Sequence, residues 1–94
     1  MSTAFEELRR RNPLLADFLV KHPTYFLEWS EEALGLFIWR EWESLVGVND
    51  ADRRRLEENI DAVINMRDAP RKLRNAAKIA KKLIEREKKM LNID

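Results

Sequence analysis

The sequence predicts an all-α fold: a compact bundle of four main helices, one or two short helices at the N-terminus, and a closing helical hairpin whose last helix is long and basic. Three observations predict it. Apolar residues recur at three- and four-residue spacing along most of the chain. No stretch alternates apolar and polar residues between turn signals, as a strand would. Helix-starting and helix-stopping residues (Pro13, Pro23, Gly47, Pro70) fall between the periodic segments. With 94 residues the chain is the size of a single helical domain, 1–94.

At the N-terminus, Thr3-Ala4-Phe5-Glu6 has the capping-box pattern, and a short helix is expected to about Arg11. Asn12-Pro13 restarts the chain as N-cap and first helical residue. Leu14, Leu15, Phe18 and Leu19 form one apolar stripe of a helix ending near Lys21. His22-Pro23 breaks it, because proline disfavours helical geometry in the residue before it. A short turn with Tyr25, Phe26 and Trp29 follows, and Ser30 caps the next helix.

That helix, Glu31 to Val46, is the centre of the prediction. Leu34, Phe37, Ile38 and Leu45 share one face; Leu36, Trp39, Trp42 and Val46 spread over an arc on the other side. A helix apolar around most of its circumference is central in its domain or has two partners. Glu41 falls on the first face and is expected to be partly exposed or paired, since an unpaired buried carboxylate costs several kcal/mol. Gly47 suits the position after the helix end.

Asn49 or Asp50 is expected to cap a helix to about Asp68, with Leu56, Ile60, Val63, Ile64 and Met66 inward. Pro70 opens the last helix, of about 22 residues and ~33 Å. Its buried side is expected to be Leu73, Ala76, Ala77, Ala80, Leu83, Ile84 and Leu91, and the three alanines admit a close neighbour. The last two helices form an antiparallel hairpin.

Composition narrows the function classes. No cysteine is present, so disulfide and thiol chemistry are excluded. No apolar run reaches the ~20 residues of a membrane span, and MSTAFEELRRRN lacks a signal-type apolar stretch. A cytoplasmic protein with no membrane contact is the expectation. Charged residues make up 37% and glutamine is absent, a bias common in proteins from hot habitats; a thermophilic origin is one expectation. The net charge of +1 is unevenly spread. Residues 1–49 carry five basic and eight acidic side chains, residues 50–94 thirteen basic and nine acidic.

Motifs for catalysis are lacking. The single histidine, His22, sits at a helix break and makes no common zinc site or triad with the residues around it. No Glu-x-x-His pair for a di-iron bundle and no glycine-rich phosphate loop occurs. The chain is read as a non-enzyme with no metal and no cofactor.

Two clusters remain. Between Arg71 and Lys89 the last helix has nine basic and two acidic residues. Arg71, Arg74, Lys78, Lys81, Lys82, Arg86, Lys88 and Lys89 fall on one arc opposite the apolar stripe, interrupted by Glu85. The antiparallel hairpin brings Arg53 and Arg54 towards its C-terminal end. Such an arc suits a phosphate backbone, DNA or RNA, contacted without sequence specificity. A solvated face partly neutralised by Glu57, Glu58 and Asp61 is the competing outcome. The second cluster is Trp39, Arg40 and Trp42, residue types enriched at protein interfaces; an aromatic platform for unpaired bases ranks lower, since such platforms usually lie on sheets.

The functional expectation is therefore a small accessory or adaptor subunit of a nucleic-acid-processing complex. It would contact phosphates through the basic helix and a larger protein through the aromatic central helix. The alternative is a protein–protein interaction module, a homodimer or an inhibitor encoded by a virus or plasmid, with no nucleic acid involved. A helix-turn-helix around Gly47 is a weaker option, because Glu57, Glu58 and Asp61 would repel phosphates.

Overall fold

Three long helices, joined by short connections, frame the molecule. The computed structural model describes residues 6, 9–10, 13–21, 28–67 and 69–93. Among these the regular elements are all helices: α1 (Pro13–Lys21), α2 (Glu31–Leu45), α3 (Asp50–Ile64) and α4 (Arg71–Leu91). Of the short helix expected up to Arg11, the described residues Glu6, Arg9 and Arg10 are helical; Thr3 of the capping box, the Asn12 cap, His22-Pro23 and the Tyr25–Phe26 turn lie outside the described residues, as do the side chains of Leu14, Leu15, Phe18 and Leu19.

Local chemistry sets the boundaries. Ser30 Oγ accepts from the Ala33 backbone N–H at 3.2 Å, and Glu31 and Glu32 stand at the positive end of the α2 dipole. After Leu45 the chain turns through extended Val46 and through Gly47 at φ +73°, a left-handed conformation that glycine adopts without steric penalty. Asn49 then caps α3, its side chain accepting from Asp52 N–H at 3.1 Å. That helix stops at Ile64, about one turn short of the Asp68 expected. The change is local: Asn65 N–H still donates to the Asp61 carbonyl at 3.2 Å, with its side-chain amide adding a 2.9 Å bond to the same oxygen, but the next amide, Met66, bonds Val63 at 3.1 Å, so the ladder tightens from four-residue to three-residue spacing and ends. At the end of α4, Asn92 is left-handed and Ile93 N–H donates back to the Lys88 carbonyl at 3.0 Å, a Schellman-type closure.

The helices run in alternating directions. Glu57 on α3 meets Lys88 on α4 and Asp61 meets Lys81, so α3 and α4 are antiparallel, as the hairpin expectation required. Glu31 meets Asn75, and Gly35 faces Ala76 and Ile79, so α2 starts beside the first turns of α4 and follows it. The α2–α4 pair makes the most extensive contact in the molecule, and α1 rests on α3.

The core is one cluster. Leu34, Ile38 and Trp42 of α2 meet Leu56, Ile60 and Val63 of α3 and Leu73, Ala76, Ala77, Ala80 and Ile84 of α4, with Ala16, Met66 and Ala69 at its edges. Trp42 belongs to the same stripe as Leu34 and Ile38, because steps of four residues drift only about 40° each around the helix. The expectation that groups it with the outer arc is corrected here. Glu41 is exposed, one of its two expected environments. Leu91, the last residue of α4, is 48% exposed rather than buried. No described helix is long and apolar enough to cross a membrane.

Candidate polyanion-binding face

Helix α4 carries two sets of cations, and packing against α3 separates them. Lys81 and Lys88 lean onto α3. Lys81 Nζ lies 2.7 Å from Asp61 Oδ1, and Lys88 Nζ lies 2.7 Å from Glu57 Oε1. Hydrogen bonding to Asp61, aided by its charge, raises the Lys81 pKa above the ordinary 10.5. Two of the three α3 carboxylates expected to neutralise the arc therefore do so, and each takes one lysine.

The other cations point away from the core. Arg71, Lys78, Lys82, Arg86 and Lys89 are exposed. None of the five has a carboxylate partner among the described residues. Arg71, Lys78, Lys82 and Lys89 fall within about 40° of one line along the helix, and that line is about 27 Å long. Arg86 lies about 60° to one side, and Glu85 is the acidic residue beside the row. Arg74 is half-buried, and its Nε is enclosed without a hydrogen-bond partner among the described residues. No acidic residue occupies the first turn of α4, and Pro70 provides no side-chain cap. Arg71 therefore sits where the helix dipole disfavours a cation.

Arg53 has a different environment. It is 5% exposed, with Nε 3.0 Å from Asp50 Oδ1 and a short bond from Nη1 to Glu57 Oε2. The same Glu57 oxygen accepts from the Trp42 indole N–H at 3.0 Å. One carboxylate thus joins all three long helices: Trp42 on α2, Arg53 on α3 and Lys88 on α4. Arg54, next in the chain, is exposed. The sequence points to Glu57 as a neutralising charge, and the Asp50/Arg53/Glu57 spacing of three and four residues is legible as intrahelical pairing. Its bond to Trp42 is not legible, because nothing local links residues 42 and 57.

Of the three residues proposed for protein contact, Arg40 is exposed, Trp39 is half-buried and Trp42 is fully buried. Leu36, on the exposed side of α2, is 46% exposed, and the Trp39 indole N–H is enclosed with no acceptor among the described residues. No group of three or more potential metal ligands converges among the described residues.

The network has a pH signature. The Arg53 side chain and the Gly47 backbone N–H both donate to Asp50, holding its pKa below the ordinary 3.8. A carboxyl with a depressed folded-state pKa contributes stability that is complete above the unfolded value and is lost as pH falls through the folded one. Asp50→Asn is therefore expected to flatten the decline of thermal stability below about pH 4. An unchanged acid limb in melts of both proteins would show that Asp50 does not set it. Lys81 has the opposite sign: its contribution is complete below pH 10.5 and lost as pH rises through its raised value.

Comparison with protein-family models, curated proteins and solved structures found no match to this chain.

Proposed function

We propose that this protein is a small non-enzymatic accessory subunit that contacts a nucleic-acid phosphate backbone through the outer ridge of α4. The observation that supports the reading is the row Arg71, Lys78, Lys82 and Lys89, exposed and unpaired among the described residues, flanked by Arg86. The α4 lysines that could be neutralised by α3 already are. The remaining ones form a straight basic row with Glu85 beside it, opposed to the helix dipole at its start. Lysines and arginines of this kind act as point charges, giving affinity and salt dependence without reading bases. Arg74 lies at the margin of the row, Arg54 is exposed on α3, and Lys81, Lys88 and Arg53 contribute to the local field from within their ion pairs. In this reading a larger protein is held on the α2 surface around Leu36, Trp39 and Arg40, with Trp42 supporting it from the core.

The test is an anisotropy titration of labelled nucleic acid at several salt concentrations. Neutralising about five phosphates gives a log–log salt slope near −4.5 on duplex DNA. Lys78→Glu with Lys82→Glu should reduce that slope by about two and weaken binding at low salt at least tenfold. Binding unaffected by the double reversal would remove α4 from the site.

The second reading, a protein–protein module without nucleic acid, draws on the exposed apolar residues Leu36, Val48, Met90 and Leu91. Light scattering after size exclusion discriminates a homodimer directly. Under this reading Leu36→Glu dissociates the dimer, and charge reversal on α4 does nothing.

A further inference from the structure

We infer that the partner of the α4 ridge is a double-stranded nucleic acid rather than a single strand; this rests on the proposed phosphate contact. Proteins that hold single strands combine a basic track with aromatic rings on which bases stack. Helix α4 has no phenylalanine, tyrosine or tryptophan anywhere in its length. The described tryptophans are all elsewhere: Trp42 is in the core, Trp39 is half-buried on α2, and Trp29 meets the Phe37 ring edge-on at 4.2 Å between centroids. Among the described residues the ridge therefore offers charge alone, and charge density decides which strand form it prefers.

A duplex carries about one negative charge per 1.7 Å of axis, and releases about 0.9 counterions per neutralised phosphate against about 0.7 for a single strand. Over about five contacts, and with equal affinities at about 1 M salt, that difference favours the duplex about twentyfold at about 50 mM. Rigidity acts in the same direction. The α4 row is straight over about 27 Å, and a duplex presents phosphates already ordered, whereas a single strand must be straightened against its own conformational entropy.

The experiment is competition for a labelled duplex by unlabelled 20-mers of about equal length: duplex DNA, duplex RNA and mixed-sequence single strands, at about 50 mM and 200 mM salt. The expected result is a duplex preference of about twentyfold at the lower salt that narrows to about fivefold at the higher. Whichever duplex competes more strongly identifies the source of the phosphates. A single strand that competes as well as either duplex overturns the inference and leaves the phosphate-binding reading intact. If no nucleic acid binds at the lower salt, the reading beneath it falls as well. Lys78→Glu with Lys82→Glu, at positions exposed to solvent, should lose the duplex binding while keeping the helical circular-dichroism signal. Retained duplex preference in that variant would also overturn the assignment.

Discussion

Glu57→Ala is expected to lower the free energy of unfolding by about 3 kcal/mol, the largest single effect among the polar residues. The carboxylate accepts from Trp42, Arg53 and Lys88, and its side chain is 19% exposed. Removing it takes a carboxylate from the nearly enclosed Arg53 guanidinium, and takes from the Trp42 N–H in the core the acceptor it has among the described residues. Breaking a buried pair by deleting one partner is costly because the other charge stays desolvated. In a domain of this size about 3 kcal/mol corresponds to a fall in Tm of roughly 15 °C. Glu57→Gln should lose less, since the amide oxygen can still accept from the indole. Thermal melts followed by far-UV circular dichroism and by tryptophan emission check both variants. A shift under about 3 °C for the alanine variant would mean that the network is a solvated surface cluster, not a tie between helices.

Gly35→Ala is expected to destabilise the fold by about 1–2 kcal/mol, and Gly35→Val by more. In an isolated helix the sign would be opposite, since alanine is favoured over glycine by about 1 kcal/mol. Packing reverses it. A Cβ at position 35 would meet Ile79 Cβ and Cγ2 at 2.8 Å and the Ala76 carbonyl oxygen at 3.0 Å. Two of those atoms are held by the α4 backbone and its first side-chain carbon, so α2 and α4 must move apart, loosening the most extensive interface in the molecule. Ile79→Ala in the Gly35→Ala background should recover part of the loss, and urea denaturation of the double-mutant cycle measures that coupling. A Gly35→Ala protein more stable than the parent would show that the interface has slack and that propensity governs the site.

The expected class of fold survives in its coarse form: an all-helical protein built on long amphipathic helices. The legible parts were those written in short-range chemistry. Ser30 and Asn49 work as caps and Gly47 as the left-handed turn, because a cap or turn needs only residues within one helical turn of it. The Leu56–Ile60–Val63 and Leu73–Ala77–Ala80–Ile84 stripes lie in the core, because periodicity alone sets which side of a helix is apolar. The early stop of α3 is not legible, because it rests on Met66 N–H bonding Val63 in place of Ala62, a choice that composition does not force.

The tertiary structure decided everything that depends on which helix lies beside which. An arc of cations is one continuous feature in the sequence. Docking of α3 divides it into lysines that are spent on Asp61 and Glu57 and a ridge that is not. Arg53 and Trp42 were candidates for contact with partners, and both are enclosed, joined through a carboxylate fifteen residues beyond the tryptophan. The physical reason is range. Helix propensity, capping and amphipathic period are fixed by neighbours within about four residues, so the sequence displays them directly. Ion-pair partners and burial are set by contacts across helices, which appear only when the chain has folded.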